Sequence, residues 1–252
     1  QGDIFFTDQP NDKIYQWNSN SNQITLFKEG AGRSNGLYFQ LDGKLISAAD
    51  LKNELWEIDP QTGKETVLVP SFRGKKLNGP NDILVRPKGG LYFTDPLYPR
   101  PYWEGIRGKE MEQDGQHVYF LSADRTELFR VAEDLKQPNG IVGTPDGKHL
   151  YVADIGAGKT WKYDIQEDGY LTNKTLFCEM GSDGMTIDER GNVYLTGKGV
   201  TVFDKNGEQI AHIPVPENWT ANVAFGSLTR NTLFITAMGS VYTLKMKFRG
   251  VW

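Results

Sequence analysis

Asn35-Gly36-Leu37-Tyr38-Phe39, Asn81-Asp82-Ile83-Leu84-Val85, Asn139-Gly140-Ile141-Val142, Asp183-Gly184-Met185-Thr186-Ile187 and Asn222-Val223-Ala224-Phe225 are five renderings of one phrase. Each opens with Asn or Asp and continues as a short apolar run. Thirteen or fourteen residues after each opening, a Thr or Ala closes a second apolar run: Ala48, Thr94, Ala153, Thr196 and Thr236. A sixth second run, Asp3-Ile4-Phe5-Phe6-Thr7-Asp8, has no opening before it, and the same count back from Thr7 lands upstream of Gln1. Self-similarity at a fixed period decides architecture before any single element does. The chain reads as a six-fold repeat entered part-way through its first unit.

A third run recurs in every unit, from Lys13-Ile14-Tyr15-Gln16-Trp17 through Glu54-Leu55-Trp56-Glu57-Ile58 to Val241-Tyr242-Thr243-Leu244. A weaker fourth is legible in some, as in Gln23-Ile24-Thr25-Leu26-Phe27 and Glu65-Thr66-Val67-Leu68-Val69. Short runs rich in aromatic and β-branched residues, separated by turns such as Asp42-Gly43, Asp146-Gly147 and Asn206-Gly207, are strands. Four strands per unit of roughly 40–50 residues is the pattern of a propeller blade. The expectation is an all-β, six-bladed β-propeller with four strands per blade, one domain over residues 1–252. Its first blade lacks the innermost strand and its last an outermost one. One upstream segment is expected to supply both and to cover two open sheet edges.

The net charge of −4 disfavours nucleic acid and anionic membranes as partners. No stretch approaches the roughly 20 apolar residues of a membrane span. Cys178 is the single cysteine, so no internal disulfide forms and the compartment, periplasmic or cytoplasmic, stays open, as does the oligomeric state.

The innermost strand of each blade lines the central channel, so Asn35, Asn81, Asn139, Asp183 and Asn222 are placed around one mouth of it. Asn and Asp also open strands simply because they make good turns. Amide carbonyls with one or two carboxylates form a hard oxygen site suited to calcium, with another divalent cation as the variant, and far less to zinc or copper. Asp183 is the one carboxylate of the five and the one able to take a proton. His117, His149 and His212 fall at unrelated phases and are read as ordinary surface or edge residues. Residues 95–116 form the longest insertion, with Tyr98, Tyr102 and Trp103 among prolines. They read equally as a lid beside the pocket or as a loop packed by its own aromatics.

Leu77-Asn78-Gly79-Pro80-Asn81-Asp82, Gln137-Pro138-Asn139-Gly140-Ile141, the run from Pro145 to Asp154, Gly181-Ser182-Asp183-Gly184-Met185 and Asn222-Val223-Ala224-Phe225-Gly226, in this order and spacing, resemble the gluconolactonase/regucalcin (senescence marker protein) family of six-bladed propellers. The resemblance covers essentially the whole chain. It implies a calcium-dependent hydrolase of sugar lactones whose cation is held by Asn139, Asp183 and Asn81, with Asn81 also facing substrate. It further implies a glutamate about six residues before Gln1, where the repeat count also points. Asp183 is the candidate catalytic proton acceptor, with Asp82, Asp95 and Asp154 as substitutes. Asn35, Asn222, Tyr98 and Trp103 are the further substrate-binding candidates. Animal members of the family carry an Arg where this chain has Gly79, and Arg33 is the candidate for supplying that charge from the neighbouring blade. A phosphoester or fluorophosphate hydrolase on the same metal ring, and a non-catalytic propeller with a structural calcium, are the competing readings.

Overall fold

The computed structural model describes residues 2–108 and 110–251. Six antiparallel sheets follow one another along the chain. The first blade holds Ile4–Asp8, Lys13–Asn18 and Gln23–Glu29; the second holds Ser34–Phe39, Leu45–Ala49, Glu54–Ile58 and Glu65–Val69. The third comprises Ile83–Val85, Leu91–Asp95, His117–Leu121 and Leu128–Ala132; the fourth comprises Pro138–Gly143, His149–Asp154, Lys159–Ile165 and Leu171–Cys178. Met185–Ile187, Val193–Gly197, Gly199–Phe203 and Gln209–Ile213 form the fifth, and Thr220–Gly226, Thr232–Ala237 and Ser240–Lys245 the sixth. The chain is a six-bladed β-propeller, and the two three-stranded blades are the two that strand counting picks out.

Why these strands read as nearly unbroken apolar runs is visible in the packing. Each sheet is covered on both faces by its neighbours, so alternation is lost in the second strands: Leu45–Ala49, Leu91–Asp95 and Val193–Gly197 are buried at every position. Outer strands regain water on one side, and Gln209–His212 are all exposed. The core is correspondingly split into wedges between blades. Ile46, Leu55, Ile83 and Phe93 fill the wedge between the second and third blades. Ile4, Trp17 and Phe234 join the sixth to the first and close the ring. Apolar burial of this kind contributes roughly 25 cal/mol per Å², and it ties every blade to two others.

The recurrent Thr of the second strand stitches blades together. Thr7 Oγ1 donates to Asn35 O at 3.0 Å, Thr94 Oγ1 to Asn139 O at 2.8 Å and Thr196 Oγ1 to Ala221 O at 3.2 Å. Where the second strand carries Ala48 instead, the carbonyl of Asn81 accepts from the Gly36 N–H at 2.6 Å. Inner-strand residues beside the channel are thereby fixed by backbone contacts, leaving their side chains free to do something else.

Those contacts also correct the repeat phase at the last blade. Ala221, not Asn222, makes the contact that Asn35 and Asn139 make. A register shift between Thr220 and Asn222 moves the asparagine one place along. Asn222 instead occupies the position of Asp82 and Gly184. All three donate their backbone N–H to the Thr of the next strand, Thr236, Thr94 and Thr196 respectively.

Candidate active site

Asn139 enters the fourth blade buried, 1% exposed. Its Nδ2 donates to the Tyr98 hydroxyl at 2.6 Å and to Asp183 Oδ1 at 3.0 Å. Asp183 Oδ2 accepts from Trp219 Nε1 at 2.7 Å. Facing a carboxylate and a phenolic oxygen, the Asn139 amide has to present its nitrogen, which leaves Oδ1 over. That Oδ1 is buried without a hydrogen-bond partner among the described residues, as is Nδ2 of Asn81. An unpartnered buried polar atom costs about 1–3 kcal/mol, and these two fall at corresponding phases of adjoining blades.

Asp183 is partly buried and makes no ion pair among the described residues. Burial pushes its carboxyl up, against the pull of Trp219 Nε1, the Arg100 charge and Asn139. Burial likewise raises the Tyr98 hydroxyl, and the carboxylate of Asp183 adds to it. Tyr98 is therefore a neutral phenol whose oxygen accepts from Asn139 and whose own proton is free to donate. Trp219 was not legible as a site residue; it lies in Asn218-Trp219-Thr220, which reads only as a glycosylation pattern.

Along the channel lies a cavity of about 490 Å³ whose polar lining includes Thr7, Asn35, Asp82 and Asn222. Its remaining wall is apolar, with Phe5, Phe39, Val85, Met185 and Phe225. The five strand-opening side chains thus divide. Asn139 and Asp183 touch one another, Asn81 is buried at the same phase, and Asn35 and Asn222 line the cavity. Asn222 Oδ1 accepts from the Val223 N–H at 2.7 Å, and a Cβ on Gly184 would lie 2.1 Å from it. Asp82 is buried with Oδ1 accepting from the Ile83 N–H and Oδ2 from the Ile141 N–H. Burial pushes its carboxyl up to about 7, those two backbone donors opposing the shift.

Asp95 and Asp154 have structural duties that account for both their oxygens. Asp95 accepts from the Asn78 and Gly79 N–H groups, and Asp154 from those of Lys136 and Gln137. Each holds the segment leading into an inner strand. The histidines stay out of the site: His117 meets Asp114, His149 meets Asp164 and His212 meets Thr201.

The 95–116 insertion, of which Lys109 lies outside the described residues, sends one side chain to the site and packs others against itself. Tyr98 reaches the site. Trp103 is buried at 4% exposure in the single-turn helix Pro101–Trp103. Arg33 stacks its guanidinium on Tyr102 and Trp103, at 5.1 and 5.3 Å from the ring centroids, and donates to Tyr102 O at 3.3 Å. It pins the insertion. The charge above Gly79 comes from the insertion itself. Arg107 pairs with Asp50 there, both nearly buried, and a Cβ on residue 79 would lie 2.2 Å from Asp50 Oδ1 and 3.1 Å from Arg107 Nη2. Gly79→Ala is expected to overpack this ion pair at a cost of about 1–3 kcal/mol. For a chain of this size that lowers the melting temperature by roughly 2–4 °C per kcal/mol, a shift that thermal melting resolves.

Among the described residues no three His, Cys, Asp or Glu side chains gather to hold a metal. The oxygen donors present are of another kind: the bare Asn139 Oδ1 and the uncompensated Asp183 carboxylate. They fit a hard cation and offer nothing to a soft one.

A six-bladed propeller with a hard-oxygen cluster at its inner strands is the class that fold and site define together. The chain belongs to the SMP-30/gluconolactonase/LRE-like family, whose model matches residues 1–239. It is 30% identical to a gluconolactonase of Zymomonas mobilis over 98% of this chain and 76% of that protein. It is 26% identical to the diisopropyl-fluorophosphatase of Loligo vulgaris over 77% of this chain and 65% of that one. Among solved structures, a gluconolactonase from Xanthomonas campestris superposes with a TM-score of 0.89 at 27% identity, covering 96% of this chain and 82% of the other.

Proposed function

We propose that the chain hydrolyses sugar lactones at the Tyr98–Asn139–Asp183 cluster, with a divalent cation, calcium by its donor chemistry, held by Asn139 Oδ1 and Asp183 and with Asn81 alongside. The observation that carries the reading is the Asn139 amide: one atom bridges Tyr98 to Asp183 and the other is left bare. Bound there, the cation would supply Lewis-acid polarisation of the lactone carbonyl. The chain's own residues do the rest. Asp183, oriented by Trp219 Nε1, accepts a proton from the attacking water as the water oxygen bonds to the carbonyl carbon. The Tyr98 O–H, kept neutral by burial, donates to the developing oxyanion. Collapse breaks the ring carbon–oxygen bond, the ring oxygen takes the proton back from Asp183, and the acid formed ionises to a carboxylate.

The relatives support this chemistry, and the name of the Loligo vulgaris protein favours one alternative substrate, a fluorophosphate. Assaying purified protein against a panel of γ- and δ-lactones beside a fluorophosphate separates the two. Lactone turnover is expected; turnover of the fluorophosphate alone reassigns the substrate, and binding without turnover of either makes the protein a non-catalytic propeller. Tyr98→Phe removes one hydrogen-bond donor with little change of shape. It is expected to lower kcat by about 10²-fold while KM moves little, measured on the best lactone of that panel.

A further inference from the structure

Three arginines stand around the insertion, and their circumstances differ. Arg107 is paired with Asp50, and Arg33 donates to Tyr102 O while stacking on two rings. Arg100 lies over the Tyr98 ring, its guanidinium carbon 4.9 Å from the centroid. It makes no ion pair and no side-chain hydrogen bond among the described residues, and its Nε is buried without a partner. Holding a guanidinium half-buried and unpaired is costly unless an anion completes it. Tyr98 is the residue that Asn139 bridges to Asp183, so Arg100 is one ring away from the reacting centre. Its charge pulls the Asp183 carboxyl down, alongside the hydrogen bonds from Trp219 and Asn139 and against burial.

We propose that Arg100 is the carboxylate-recognising residue of this site, receiving the ring-opened sugar acid through its guanidinium. This rests on the lactonase reading for the identity of the acid, and on the geometry alone for the anion. Planar, bidentate recognition of a carboxylate is what a guanidinium does best and an ammonium does poorly. Product is thereby distinguished from substrate: the lactone is neutral at this end and the acid is not.

The test is direct binding by calorimetry of an aldonate, gluconate, and of glucitol, its uncharged polyol counterpart. The proteins are the wild type, Arg100→Gln and Arg100→Lys, all with calcium present and all shown by thermal melting to be folded. Loss of one charge-assisted pair is expected to weaken gluconate binding about 10–100-fold in Arg100→Gln. Glucitol is expected to stay within about twofold, and Lys to restore only part of the loss. Gluconate binding that is absent in the wild type, unchanged in Arg100→Gln, or weakened equally with glucitol overturns the proposal. Turnover is scored separately. A chain that binds gluconate through Arg100 and cleaves no lactone keeps this inference and loses the lactonase reading, and one that cleaves lactones with Arg100-independent gluconate binding does the reverse.

Discussion

Asp183→Asn is expected to lower kcat for lactone hydrolysis by about 10²–10³-fold, the usual cost of removing one preorganised electrostatic contact. The substitution keeps the volume and leaves an oxygen for Asn139 Nδ2 or Trp219 Nε1 to bond. What it removes is the negative charge and the ability to take a proton. Both losses act in the same direction, since a neutral amide also holds a hard cation less well than a carboxylate. Calcium affinity, read by calorimetry, should therefore fall along with the rate. A matched Asn139→Ala change should weaken calcium and remove the bridge to Tyr98; it also deletes one hydrogen bond to Asp183 but leaves its carboxylate and its Trp219 contact in place. A loss of only a fewfold in Asp183→Asn would move the chemistry elsewhere, and Asp82, a buried carboxylate that lines the cavity, would be the next residue to change.

Asp50→Ala is expected to be the most damaging change to stability. Asp50 and Arg107 pair with side-chain exposures of 4% and 10%. Burial pushes the Asp50 carboxyl up, and Arg107 opposes that shift by charge and by hydrogen bond. Deleting the acid leaves a buried guanidinium whose Nε and Nη2 are already without partners. Breaking a buried pair from one side costs about 3–5 kcal/mol, or roughly 10 °C in melting temperature for a chain this long. Because Arg107 anchors the far end of the insertion and Gln9, bonded to Asp50, also holds Tyr102, the damage should spread to the loop. Trypsin should then cut within residues 95–116 faster than in the wild type. The double change Asp50→Leu with Arg107→Met replaces both charges by apolar groups and should recover much of the loss. If the single change melts within about 1 °C of the wild type, the pair carries no such role.

The ring of blades was legible because its determinants are local and repeated. An Asn or Asp opening, an apolar run and a Thr in the next strand all serve backbone contacts that recur in each unit, as Thr7, Thr94 and Thr196 show. The candidate site was legible only in part. Asn139 and Asp183 do meet, and Tyr98 reaches them. Asn222 misled because a single-residue register shift alters phase without altering the look of the sequence, and a spacing of 13 or 14 cannot reveal it. Trp219, Arg100 and Arg107 carried no signal of their own. Their positions depend on how loops cross the mouth, which is decided by tertiary contacts such as the filling of space above Gly79. Arg33, read as the arginine for that space, is held instead by the aromatic rings of the insertion.

The most direct measurement is the initial rate of gluconolactone hydrolysis, corrected for spontaneous opening, in protein that has been chelated and then titrated with calcium. The rate should fall to background on chelation and return as calcium is added, and Asp183→Asn should need more calcium and still fall about 10²–10³-fold short. Turnover that persists at its full rate after chelation, and in Asp183→Asn, would contradict a metal-assisted lactonase centred on Asn139 and Asp183.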